Sequence, residues 1–184
     1  MKSITEAIYN RRSPRSYSDK KIPENVLLEL FEAARWAPSS MNEQPWLYLY
    51  AYNGTEKFNK ILDSLVPFNK QWAKNASVLV VSLAKKTFDY NDKENKYYFY
   101  DAGSANQNLL LAAFNSDIYG HPMGGFESSI LVNNFNIPTN IEPVCVISLG
   151  YLDSPDKLPE DLRTREIAER QRRPIEEFVI QGWG

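Results

Sequence analysis

The chain has 184 residues, 43% of them hydrophobic, and a formal net charge of -2, a balance that suits one compact domain with a real core and speaks against disorder. Its longest apolar runs, Ser77–Ala84 and Pro143–Gly150, fall far short of the roughly 20 residues a membrane-spanning helix needs. The N-terminal MKSITEAIYNRRS has no apolar core of secretory-signal length and one cysteine cannot build a disulfide framework, so a cytoplasmic protein without a membrane partner is expected.

In chain order, Ser3-Ile4-Thr5-Glu6 fits a capping box and predicts a short helix to about Asn10. Pro23 suits the first turn of a second helix, whose apolar stripe is Val26, Leu27, Leu30, Phe31 and Ala34 and which should stop before Pro38. Trp46–Tyr52 reads as a strand, Thr55–Leu65 and Asn69–Lys74 as short helices, and Ser77–Ala84 as a buried strand. The longest helix, Tyr97–Asn115, carries Ala102, Ala105, Leu109, Ala112 and Ala113 and is apolar on more than one side, which suits a core or an intersubunit contact. Gly120–Gly125 should break the chain, Glu127–Phe135 should form a helix, and Pro143–Gly150 should return as a strand. The order α-α-β-α-α-β-α-α-β points to an α+β or α/β fold. No internal repeat is visible.

Several chemistries drop out. No G-x-G-x-x-G follows a strand and no Walker A loop is present, which argues against a Rossmann unit or P-loop. One His and one Cys make zinc or iron–sulfur sites built from those ligands unlikely. Cys145, inside an apolar strand, reads as a small packing group. His121, the only histidine, reads as a loop histidine with a local hydrogen bond more readily than as an acid–base catalyst.

What remains is a set of basic and neutral polar segments. Residues 1–21 carry six Lys or Arg against two acids, and residues 163–173 carry five Arg against two acids. Two such clusters on an acidic body suggest one local anion site if they meet in space, rather than a nucleic-acid surface; otherwise they are separate solvated patches. In Arg11-Arg12-Ser13-Pro14-Arg15, planar guanidinium forks and a hydroxyl supply phosphate-binding chemistry without a glycine loop. ARWAPSSMNEQPW, between a helix and a strand, adds stiffly held neutral hydrogen-bonding groups.

RRSPRSYSDKKIP followed after one helix by ARWAPSSMNEQPW closely resembles the N-terminal signature of the nitroreductase family, flavoenzymes that use FMN and a nicotinamide donor. The resemblance continues through Asn69 ahead of SVLVVSLA, the small residues of the long helix, PMGGFE at Pro122–Glu127, and Arg170-Gln171-Arg172-Arg173-Pro174, and covers nearly the whole chain. It implies an α+β fold of the nitroreductase kind spanning residues 1–184 as one FMN-binding domain, with a central, mostly antiparallel or mixed sheet flanked by helices and the long helix at a dimer interface. It implies that Arg11, Arg12, Ser13, Arg15, Arg170 and Arg172 hold the FMN phosphate and ribityl end. Asn69 would meet the pyrimidine side of the ring, and Pro122, Met123, Gly124 and Gly125 would run along it, with the N–H near Gly124 facing N5. A missing Cβ lets main chain approach a planar ligand. Pro38, Ser39, Ser40 and Asn42 would come from the other subunit of a homodimer with shared sites.

The implied activity is transfer of hydride from NADH or NADPH through FMN to a nitroaromatic, quinone or similar electron-poor acceptor, with no catalytic side chain. Other readings on the same residues are a flavin-dependent dehalogenation or oxidation, an FMN store or redox sensor with little turnover, and an anion-binding module. Three features depart from the pattern: Gly124 stands where many members carry a larger residue, the insertions that often enclose substrate are short, and the tail EEFVIQGWG is short for embracing a partner subunit.

Overall fold

The computed structural model describes residues 2–182; Met1 and the last two residues of the EEFVIQGWG tail lie outside them. The expected helices form close to their signals. Ser3 caps α1 (Ile4–Asn10) by accepting the Glu6 N–H at 3.1 Å, and Thr55 does the same for Phe58 at the start of α3 (Glu56–Ser64). Pro23 stands one residue ahead of α2 (Glu24–Arg35) instead of in its first turn, and α4 (Pro67–Ala73) starts on a proline two residues earlier than Asn69. Both places leave unused the N–H that proline lacks.

Four strands, β1 (Trp46–Tyr52), β2 (Val78–Lys85), β3 (Ile118–Met123) and β4 (Ile141–Tyr151), form one sheet in the order β1-β2-β4-β3, antiparallel throughout. Helices cover both faces. Val78 and Val80 pack with α2 and α5 (Tyr98–Asn115) on one side, while Leu79 and Val81 pack with α3, α4 and α6 (Ser128–Phe135) on the other. Burial on both faces explains why β2 reads as a continuous apolar run.

β3 corrects the expected break at Gly120–Gly125. Gly120 sits so close to α5 that a Cβ there would lie 2.4 Å from Leu110 Cδ2, and Pro122 is tolerated because β3 is an edge strand. The chain leaves the sheet only after Met123. A further helix, α7 (Glu160–Ile167), had no expected counterpart; it buries Leu162 and Glu166, one turn apart. Among the described residues no helix is long and apolar enough to cross a membrane.

Candidate functional site

The two basic chain ends meet. Arg170 donates to the carbonyl of Arg11 at 2.6 Å and to that of Tyr9, and Arg11, Arg12, Ser13, Arg165, Arg170 and Arg172 line one cavity of about 280 Å³. Arg11 Nη2 lies 3.3 Å from Ser13 Oγ, but its buried Nε has no hydrogen-bond partner among the described residues. Burial first, then the like charges of Arg170 and Arg172, hold the Arg11 guanidinium below its ordinary pKa. A cluster of cations is thus gathered around a partly dehydrated arginine, an arrangement that an anion would relieve.

Arg15 continues the site inward. Its Nε is also buried without a partner, its guanidinium carbon lies 5.9 Å from the centre of the Trp72 ring, and Nη1 is 3.7 Å from Glu166. Trp72 packs on His121 at 4.6 Å between ring centres, and His121 Nδ1 lies 3.1 Å from the Pro14 carbonyl. Burial, aided by the charges of Arg15 and Arg11, pushes His121 down to about 4. The ring is therefore neutral near pH 7 and its Nδ1–H donates to Pro14; the expected loop histidine is instead a residue of β3, and its hydrogen bond reaches a segment 107 positions away.

From His121 the chain runs directly through Pro122, Met123, Gly124 and Gly125. Gly125 is pinned: its carbonyl accepts from Asn69 Nδ2 and from the Val66 N–H, each at 3.1 Å, and a Cβ on it would come within 2.9 Å of both side chains. Gly124 is exposed, and a Cβ there would meet nothing within 4 Å. Steric need for a missing side chain within the chain thus belongs to Gly125, and neither glycine has the positive φ that would demand one. Pairwise contacts and chain continuity connect Arg11, Ser13, Arg15, Trp72, His121, Gly125 and Asn69, from a cationic end to a neutral amide end.

The Pro38–Asn42 segment stands apart. Its anchor is the buried carboxylate of Asp101 on α5, which accepts the Ser40 N–H at 3.1 Å, while Ser39 Oγ accepts from Gln44. Met41, Asn42 and Gln44 hold φ near +55°, a left-handed conformation uncommon for side-chain-bearing residues. Pro38, Ser39 and Ser40 line a cavity of about 250 Å³ with Tyr97, Tyr100 and Asp101. Among the described residues no hydrogen bond or ion pair joins this segment to the arginine cluster.

Glu166, Arg165, Trp72 and Asp101 are site neighbours that the sequence reading missed. Arg165 lies over the Phe68 ring at 5.3 Å. Glu166 sits in the arginine-rich RTREIAER, where an acid looks like surface, and nothing local announces its burial. Cys145 behaves as read: burial pushes its thiol up to about 12, and Asn106 donates to it at 3.7 Å.

A family model described as "Nitroreductase family" matches residues 8–151. The chain belongs to the nitroreductase family. A protein of Methanothermobacter thermautotrophicus, provisionally named NADH dehydrogenase/NAD(P)H nitroreductase, is 30% identical over 152 residues, covering 80% of this chain and 76% of its own. A protein of Archaeoglobus fulgidus with the same provisional name is 33% identical over 159 residues, covering 82% and 86%. The solved structure described as an oxidoreductase containing FMN superimposes with a TM-score of 0.91 at 30% identity, covering 97% of this chain and 91% of that one. The family model spans the first arginine segment and β1 to β4 and ends before α7 and the second arginine segment.

Proposed function

We propose that this nitroreductase-family chain is an NAD(P)H-dependent FMN oxidoreductase, working in the cytoplasm as a homodimer with shared sites. The observation that carries the reading is the pair of buried guanidinium nitrogens, Arg11 Nε and Arg15 Nε, without partners among the described residues, Arg11 standing in one cavity with further arginines. Unpaired buried donors are costly, and a phosphate offers both charge and several acceptor oxygens. The residues therefore fit the phosphate end of FMN, with Arg12, Ser13, Arg170 and Arg172 completing the cradle.

At the neutral amide end, Asn69 spends Nδ2 on Gly125, which leaves its Oδ1 to accept from a ring N–H. Pro122 to Gly125 would lie along the ring with the open side of Gly124 toward it. Pro38, Ser39, Ser40 and Asn42 would serve the site of the partner subunit, in agreement with their separation from their own chain's arginines. FMN bound there would supply the redox chemistry, taking hydride from NADH or NADPH and passing reducing equivalents to a nitroaromatic, a quinone or a similar electron-poor acceptor. The protein's share is binding, orientation and electrostatics: His121 is neutral and engaged with Pro14, and the Cys145 thiol is held protonated.

The test is direct. The purified protein should be yellow or become so with FMN, and NADH or NADPH added without oxygen should bleach the oxidised flavin band at catalytic speed. A yellow protein that stays oxidised would favour storage or sensing, and a colourless one that FMN cannot reconstitute would leave an anion-binding module.

A further inference from the structure

The loop from Arg11 to Ser16 carries four of the phosphate-cradle residues, yet it has little backbone structure of its own. Arg11 N–H closes the end of α1 on Ala7, and the next regular pairing is the single bridge of Tyr17 with Leu152. Its shape is imposed from outside. Pro14 is held by His121, Arg170 donates to the Arg11 carbonyl, and Ser16 bonds the Ser154 carbonyl and the Asp153 N–H, but the middle of the loop is held chiefly by one residue of α7, Glu166, which is 9% exposed.

Glu166 grips the loop at both ends. Its two carboxylate oxygens each accept the Arg15 N–H at 3.0 Å, and Oε1 also accepts the Ser16 N–H at 3.3 Å. The same carboxylate faces Arg15 Nη1 at 3.7 Å. On the other side of Pro14, the Glu166 main-chain carbonyl accepts from Arg12 Nη2 at 2.7 Å, joined by the Ala168 carbonyl at 3.3 Å. Such a carboxylate would repel a phosphate that touched it, so its use must lie elsewhere. Two backbone donors and one guanidinium would be orphaned without it.

We infer that Glu166 is the positioning residue of the anion site: its buried carboxylate clips the Arg15–Ser16 end of the loop while its main-chain carbonyl holds Arg12, so that Arg11 and Ser13 face the cavity, with Arg15 fixed behind them, before the ligand arrives. The inference rests on the FMN reading above and adds to it the device that pre-organises the cradle. Holding binding groups in place beforehand lowers the ordering cost of association. Removing the clip should then cost affinity for the phosphate end specifically.

The experiment uses the full-length protein stripped of flavin. In wild type, the amides of Arg15 and Ser16 should be protected from hydrogen exchange, and Glu166→Gln should speed their exchange at least about tenfold while β2 and β4 stay protected, since the opening is local. The same variant should weaken FMN binding about tenfold, equivalent to ~1.4 kcal/mol, and riboflavin binding by less than about twofold. Glu166→Asp, which keeps the charge on a shorter arm, should recover part of the FMN affinity; it also serves if the Gln variant folds poorly. Unchanged protection of the two amides, or equal losses for FMN and riboflavin, would overturn the clip. A wild-type protein that shows the protected amides but binds neither flavin would instead reject the FMN reading, and with it the ligand this clip is said to serve.

Discussion

Arg11 and Arg15 bury their Nε atoms without a partner, so what each contributes should depend on whether a phosphate is present. Replacing Arg11, or Arg172 on the wall of the same cavity, by Ala should cost roughly 1.5–3 kcal/mol of FMN affinity, the range for hydrogen bonds to charged groups. Riboflavin should lose much less, and equal losses measured by fluorescence titration would show that the arginines support the fold. His121 gives a second, pH-dependent expectation. Its folded pKa of about 4 lies below the ordinary 6.5, so the unfolded chain takes up the proton first as pH falls. The stability that neutral His121 contributes is present in full above about pH 6.5 and is lost on the way down to pH 4, on the order of 3 kcal/mol. In denaturant titrations at pH 7 and pH 4, His121→Gln should lose less stability between the two pH values than wild type by about that amount.

At the scale of elements, the glycines of β3 and the loop after it separate packing from ligand approach. Gly120→Ala drives a methyl into Leu110 and Leu149, and Gly125→Ala into Asn69 and Val66; each should destabilise the apoprotein by about 1–3 kcal/mol, as overpacking does. Gly124→Val meets open space, so its melting temperature should stay near wild type while FMN binding or reduction by NAD(P)H falls. If flavin content and reduction both persist in Gly124→Val, the ring does not lie against this loop. The same elements show what a sequence can express. β1, β2, β4, α2 and α5 were legible because their apolar residues recur at strand or helix spacing. β3 was not, since Gly120, Pro122 and the glycines after it suit a turn equally well, and only the closeness of Leu110 and the edge position decide for a strand. Nor was α7, because half of its buried face is a carboxylate, and Glu166 becomes intelligible only beside the backbone of Arg15, a partner 151 positions away. The candidate site was legible where chemistry is local, in the arginine segments and the glycines, and opaque where it depends on such distant partners.

At the scale of the molecule, one chain leaves large apolar side chains in water on the elements that carry the separated half of the site. Trp36, Met41 and Tyr100 are each more than 70% exposed, and Tyr97 and Phe99 at the start of α5 are exposed as well. Single exposed apolar residues are ordinary, but Tyr97, Phe99 and Tyr100 border cavities that Pro38, Ser39 and Ser40 also line, which argues for a partner surface. Association of two copies should bury upwards of about 2,000 Å² in total, with a core more apolar than ordinary surface. Flavin that touches both chains stabilises only the assembled state, so binding and dimerisation should rise together. A mixed dimer checks the geometry: one chain carries Arg11→Ala with Arg172→Ala, and the other carries Ser40→Trp with Asn42→Ala. With shared sites, one site of the mixed dimer collects both lesions and the other collects neither. Half of the wild-type flavin content should therefore return, although each homodimer binds poorly. Verified mixed dimers that recover no flavin, or a monomer that holds FMN at full affinity, would place the whole site within one chain, and the left-handed Met41, Asn42 and Gln44 would then have to be explained by contacts within one chain, the Ser40 bond to Asp101 and the Gln44 bond to Ser39.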